Sequence, residues 1–119
     1  MKTTEQVANR LVELCRQGKV LDAGQELYGE NMVSNEPPHS PMAGPVKGKP
    51  AIMAKGKQFA EMIEQRHDGS FSDPLIMGNH FSVSMMLDAT MKGQGRTKLE
   101  EICVYEVKDG KIVNEQFFY

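Results

Sequence analysis

The chain has 119 residues, a net charge of −2 and a pI near 5.9, with 39% hydrophobic and 25% charged residues. That length supports one domain with a core, and the balance excludes a disordered chain and the clustered cationic excess that a phosphate backbone requires. Met1 to Glu5 lack the basic and apolar runs of a signal peptide, and no segment approaches the ~20 apolar residues of a membrane span. The expectation is a single cytoplasmic domain over residues 1–119 that contacts neither nucleic acid nor membrane.

In chain order, Thr3 and Gln6 form a capping-box pattern ahead of Val7, Ala8, Leu11, Leu14 and Cys15, which share one face and predict a first helix ended by Gly18. A second helix is predicted from Lys19 to Tyr28, with Val20, Gly24, Leu27 and Tyr28 on one stripe and Gly29 as its stop. Met32 to Glu36 reads as a short strand. Five of the six prolines follow, at 37, 38, 41, 45 and 50, and proline at that density predicts an irregular rim without sheet. Pro50 then suits the first turn of a third helix, in which Ile52, Gly56, Phe59 and Ile63 recur at helical spacing until about Gln65.

From there the period becomes two. A run from His67 to Met77 is broken by Pro74, which marks an edge strand or a bulge. Gly78 and Asn79 supply a turn. In the strand that follows, Phe81, Val83, Met85, Leu87, Ala89 and Met91 alternate with a mostly polar set. A strand over Thr97 to Val107 comes next, and Asp109–Gly110 makes a tight hairpin into the last strand, Ile112 to Tyr119. Helices followed by a meander of long strands predict an α+β domain in which the helices cover one face of a curved antiparallel sheet.

Leu27–Tyr28, the strand into Asn35–Glu36–Pro37, Gly48–Lys49–Pro50–Ala51–Ile52 opening a helix, and the closing run Tyr105 to Val113 together resemble a SnoaL-like domain. This places the chain in the superfamily of nuclear transport factor 2, ketosteroid isomerase and polyketide cyclase folds. The resemblance implies a cystatin-like, cone-shaped sheet around a largely apolar pocket, often in a homodimer. It also implies a small hydrophobic ligand, and either cofactor-free acid/base chemistry of the isomerase, cyclase or hydratase kind or non-catalytic binding. A dimeric interaction module is a third reading.

Glu36 resembles the catalytic base of ketosteroid isomerases, at the end of the first strand before a proline. As a plain sequence feature it is equally a carboxylate on a loop edge. Glu115 resembles the place on the last strand where SnoaL-like cyclases carry a pocket-facing histidine, and it shares a strand face with Phe117 and Tyr119; a one-residue slip would turn it to solvent. Phe59, Tyr105, Phe117 and Tyr119 are assigned to the ligand surface, with Phe71 as a fifth aromatic wall, although strand aromatics also build ordinary core. Where the isomerases carry an oxyanion tyrosine and its aspartate partner, this chain places Leu11 and Cys103.

His39, His67 and His80 lack metal-ligand spacing, so neither a metal nor another cofactor is expected. Cys15 and Cys103 fall on core faces as small hydrophobes, with a disulfide left open. Nine methionines suit an adaptable interior or reflect composition alone. On the opposite sheet face, Ile102 and Val104 among charged neighbours suggest a homodimer contact.

Overall fold

The computed structural model describes every residue from Met1 to Tyr119. The elements run α1 (Thr4–Arg16), α2 (Val20–Leu27), β1 (Tyr28–Asn35), β2 (Val46–Lys47), α3 (Lys49–Met62), β3 (Ile63–Phe71), β4 (Leu75–Met77), β5 (His80–Met91), β6 (Gly95–Lys108) and β7 (Lys111–Phe118). The capping box opens α1 as expected: the Thr3 hydroxyl accepts from the Gln6 amide at 3.2 Å, and the Gln6 side chain accepts from the Thr3 amide at 2.9 Å. Gly18, at φ +76°, ends the helix in the left-handed region that side chains resist.

Seven strands form one sheet in the order β2-β1-β7-β6-β5-β3, with β4 paired to β5. Every pairing is antiparallel except that of β1 with β7, which makes the curved sheet mixed. Irregularities in the β1–β7, β3–β5 and β6–β7 ladders bend it, since an extra residue on one strand kinks the strand and increases its twist. The core joins Val7, Ala8, Leu11 and Leu14 of α1 and Leu27 of α2 to Phe81, Val83, Cys103, Tyr105 and Ile112 of the sheet. This is the α+β fold expected from the periodicities.

Local readings shift at three element boundaries. Tyr28, read as the end of the second helix, is extended at φ −78° and ψ 134° and starts β1. β3 begins at Ile63, ahead of the expected His67, because Ile63 pairs with Met91 and the Met62 carbonyl accepts from Lys92 at 2.8 Å. The stretch between Pro45 and Pro50, expected to be free of sheet, holds the two-residue β2 on Val33 and Ser34 of β1. Prolines flank that strand without interrupting it, and it lies at the sheet edge, where missing donors are tolerated. Pro74 separates β3 from β4, in keeping with the expected break.

The core and the cap differ in what they contribute. Leu27→Ala, at a site with no solvent exposure, is expected to cost about 2–5 kcal/mol, and Thr3→Ala about 1 kcal/mol. Urea unfolding midpoints at constant slope measure both, and equal losses would contradict this placement of the core.

Candidate active site

Strand parity decides what faces the helices. In β5 and β6 the odd-numbered residues point inward: Phe81 pairs with Tyr105, Val83 with Cys103 and Met85 with Glu101. Between β6 and β7 the register shifts. Val107 is paired with Ile112 but Glu106 with Asn114, which leaves Val113 as an extra residue. The shift puts both Ile112 and Glu115 on the inner face, at 0% and 3% exposure. Beyond it, Tyr105 sits opposite Glu115 and Cys103 opposite Phe117.

Between this inner face, the three helices and the loop from Glu36 to Met42 lies a cavity of about 400 Å³, and 18 of its 27 lining residues are hydrophobic. Gly24 lets α2 approach closely, because a Cβ there would stand 2.8 Å from the Met53 sulfur and 3.0 Å from the Tyr28 ring. Phe59, Phe71, Phe117 and Tyr119 line the cavity. Tyr105 also lines it, but its ring is stacked on Phe81 at 4.8 Å, so most of its surface is core.

Both carboxylates singled out from the sequence border this cavity. Glu115 accepts from the Tyr28 hydroxyl at 3.2 Å, and the Ser34 hydroxyl favours its charged form. Burial nevertheless raises its pKa, and the nearby Glu36 adds to the rise, while Ser34, Tyr28 and Lys55 pull the other way. Glu36 is engaged rather than free. Its carboxylate meets the Lys55 ammonium at 3.0 Å, with the two side chains only 7% and 18% exposed respectively. A carboxylate only accepts, so Tyr119 donates to Glu36 at 2.8 Å and its oxygen in turn accepts from the Ser40 hydroxyl at 2.9 Å. Lys55 also donates to Ser34 at 3.1 Å and stands 5.6 Å from the Phe117 ring centre.

Four further groups belong to this constellation: Glu101, Lys55, Tyr28 and Ser34. Burial, followed by the Glu36 charge, pushes the Glu101 carboxyl up to about 7, and its one side-chain partner is the Cys103 thiol at 3.6 Å. Two signals for them were present in the sequence. Glu101 has the inward parity of Cys103 and Tyr105, and Lys55 falls in the helical stripe of Ile52, Gly56 and Phe59. Both were obscured by the habit of charged residues to face water. Leu11 and Cys103, where the isomerases carry hydrogen-bond donors, do line the cavity, and burial holds the Cys103 thiol protonated. Cys15 and Cys103 are free thiols. None of the three histidines borders the cavity: His39 packs edge-on to the Tyr119 ring, and His67 shares a hydrogen bond with Thr90.

Residues 2–119 match the model of the SnoaL-like domain family. A solved structure from Mesorhizobium loti, described as a candidate SnoaL-like polyketide cyclase and, in brackets, as a carbohydrate phosphatase, is 33% identical with a TM-score of 0.92 and covers 99% of this chain and 100% of its own. An NTF2-like protein of Burkholderia thailandensis shares the fold at 17% identity and a TM-score of 0.83, covering 99% of this chain and 91% of that one. So does a protein with a cystatin-like fold from Xanthomonas campestris, at 15% identity and a TM-score of 0.75, covering 98% and 90%. No protein of curated function matches the sequence.

The raised carboxyl has a thermodynamic signature. Between the ordinary value of 4.5 and about 7, the folded chain holds a proton on Glu101 that the unfolded chain has lost, so stability falls as pH rises through that window. The thermal midpoint is expected to be higher at pH 5 than at pH 8, and Glu101→Gln is expected to flatten that decline. A variant that declines as steeply as the wild type would place Glu101 in water.

Proposed function

The chain belongs to the SnoaL-like domain family, and from that footing we propose that its cavity takes a small, mostly apolar carbonyl compound and catalyses a proton shift of the isomerase or cyclase kind without a cofactor. The observation that supports this reading is Glu101. Its carboxyl group is half-ionised near neutral pH, borders an apolar cavity and lacks a strong hydrogen-bond donor. Such a group is matched to general-base work, because it is available as carboxylate without being held by a cation.

In the proposed step the Glu101 carboxylate removes a proton from the carbon next to the carbonyl. Glu115, whose carboxyl pKa burial raises above the ordinary range and which the Tyr28 hydroxyl orients, donates its proton to the carbonyl oxygen as the enol forms. A buried neutral carboxylic acid is an effective donor to a developing enolate, and here it replaces the donors missing at Leu11 and Cys103. Return of the Glu101 proton to a different carbon, as the enol O–H proton passes back to Glu115 and the carbonyl re-forms, completes the isomerisation with no change in oxidation state. Glu36 serves this centre by holding Lys55 and, through Tyr119, the rim of the cavity.

A panel of cyclic ketones and enones incubated in D2O and followed by proton NMR tests the reading. At least one compound is expected to exchange its α-protons faster than in buffer, with a rate that rises through about pH 7, where Glu101 ionises. Glu101→Gln is expected to lower that rate by roughly 10²–10⁴. Compounds that bind but exchange at the buffer rate would replace the enzyme with a ligand carrier.

We also propose that two copies pair through the outer sheet face. Ile102 and Phe118, paired neighbours on β6 and β7, are 52% and 51% exposed there, and Leu75 and Met77 on β4 are also exposed. Sedimentation is expected to give a dimer for the wild type and a monomer for Ile102→Lys with Phe118→Lys; a monomeric wild type would overturn the pairing.

A further inference from the structure

The electrostatics of the cavity carry a conclusion about which ligands it refuses. Four glutamates border it, at 36, 100, 101 and 115, and Lys55 is the one lysine or arginine that does. That cation is already committed. Its ammonium lies 3.0 Å from Glu36 and 3.1 Å from the Ser34 hydroxyl, with both members of the ion pair largely withdrawn from water. An anionic ligand entering here would find no free positive charge and would sit among carboxyl groups in a low-dielectric space. Burying an unpaired charge is costly, and like charges add to the cost. A neutral carbonyl compound meets no such penalty.

We infer that Glu36 acts as a charge mask on Lys55, making the cavity selective for neutral ligands that accept hydrogen bonds and closing it to carboxylates and phosphate esters. This rests on the reading of the cavity as a small-molecule site and gives Glu36 and Lys55 a specificity role. The ion pair, not the size of the cavity, sets the class of ligand. Removing the carboxylate charge while keeping its shape leaves the ammonium buried without a counter-ion, and an incoming anion then supplies one. The mask is therefore reversible by a single substitution. In Glu36→Gln the new amide still offers a side-chain carbonyl to the Tyr119 hydroxyl, so the rim contact is kept.

A matched pair of probes on one skeleton tests this: 2-acetylnaphthalene and 2-naphthoate, titrated by calorimetry at pH 7.5 and low salt against wild type, Glu36→Gln, and Glu36→Gln combined with Lys55→Met. Wild type is expected to bind the ketone at least about 10-fold more tightly than the naphthoate. Glu36→Gln is expected to shift that ratio toward the naphthoate by at least about 10-fold, and the added Lys55→Met to cancel the shift. Wild-type affinity for naphthoate equal to or above that for the ketone overturns the inference and leaves the cavity a ligand site. A ratio unmoved in Glu36→Gln, in a variant whose melting profile shows it folded, overturns it in the same way. If neither probe binds any variant, the small-molecule reading falls and the inference falls with it.

Discussion

Glu115 faces the interior because β7 carries one residue more than the segment of β6 opposite it. Side chains alternate strictly along a strand, so Ile112 and Glu115, three positions apart, would ordinarily point to opposite faces. Val113 is the unpaired residue that brings them to the same one. Ile112 thereby closes the core below Tyr28, and Glu115, Phe117 and Tyr119 turn toward the helices instead of the outer sheet face. The site depends on that local irregularity more than on any single contact. Without it, the last strand would present either its core residue or its carboxylate to water.

Given that parity, the charges arrange themselves around one ammonium. Lys55 reaches Glu36 on one side and Ser34 on the other, and Ser34 in turn serves Glu115. Met32, Ser34 and Glu36 alternate along β1 and the residue after it, so a serine and a glutamate arrive at the same lysine from one strand face. Glu36, Glu101 and Glu115 share one cation in an apolar space, which disfavours their ionising together. Glu36 lies 3.0 Å from the ammonium, whereas Glu101 and Glu115, pushed up first by burial, hold protons more tightly than free carboxyls. Burial and a single ion pair thus give three chemically identical side chains different surroundings, the kind of difference that acid/base chemistry exploits.

Much of this was legible in the sequence. The capping box, the strand alternation of β5 and β6, the Asp109–Gly110 hairpin and the face that Glu115, Phe117 and Tyr119 share all follow from local chemistry and period, whereas the turn of that face toward the helices does not. The position of Glu36 beside the cavity came from the family resemblance. Its engagement was not legible, because the lysine that holds it lies 19 residues further on in a separate helix. Lys55 and Glu101 were passed over for a shared reason: a charged residue is assumed to face water unless something withdraws it, and what withdraws these two comes from distant elements.

The sequence by itself determined the type and order of the elements, the family they build and the strand faces on which the aromatic residues stand, since period, caps and turns act over a few residues. Only the tertiary structure decided where α2 yields to β1, where β3 begins, and that Pro45 and Pro50 flank a strand. It alone decided that the β1–β7 pairing is parallel and which carboxylates are free or masked. Those outcomes depend on cross-strand pairing and on charges a few ångströms apart in space but tens of residues apart in the chain, and local propensity carries no record of them.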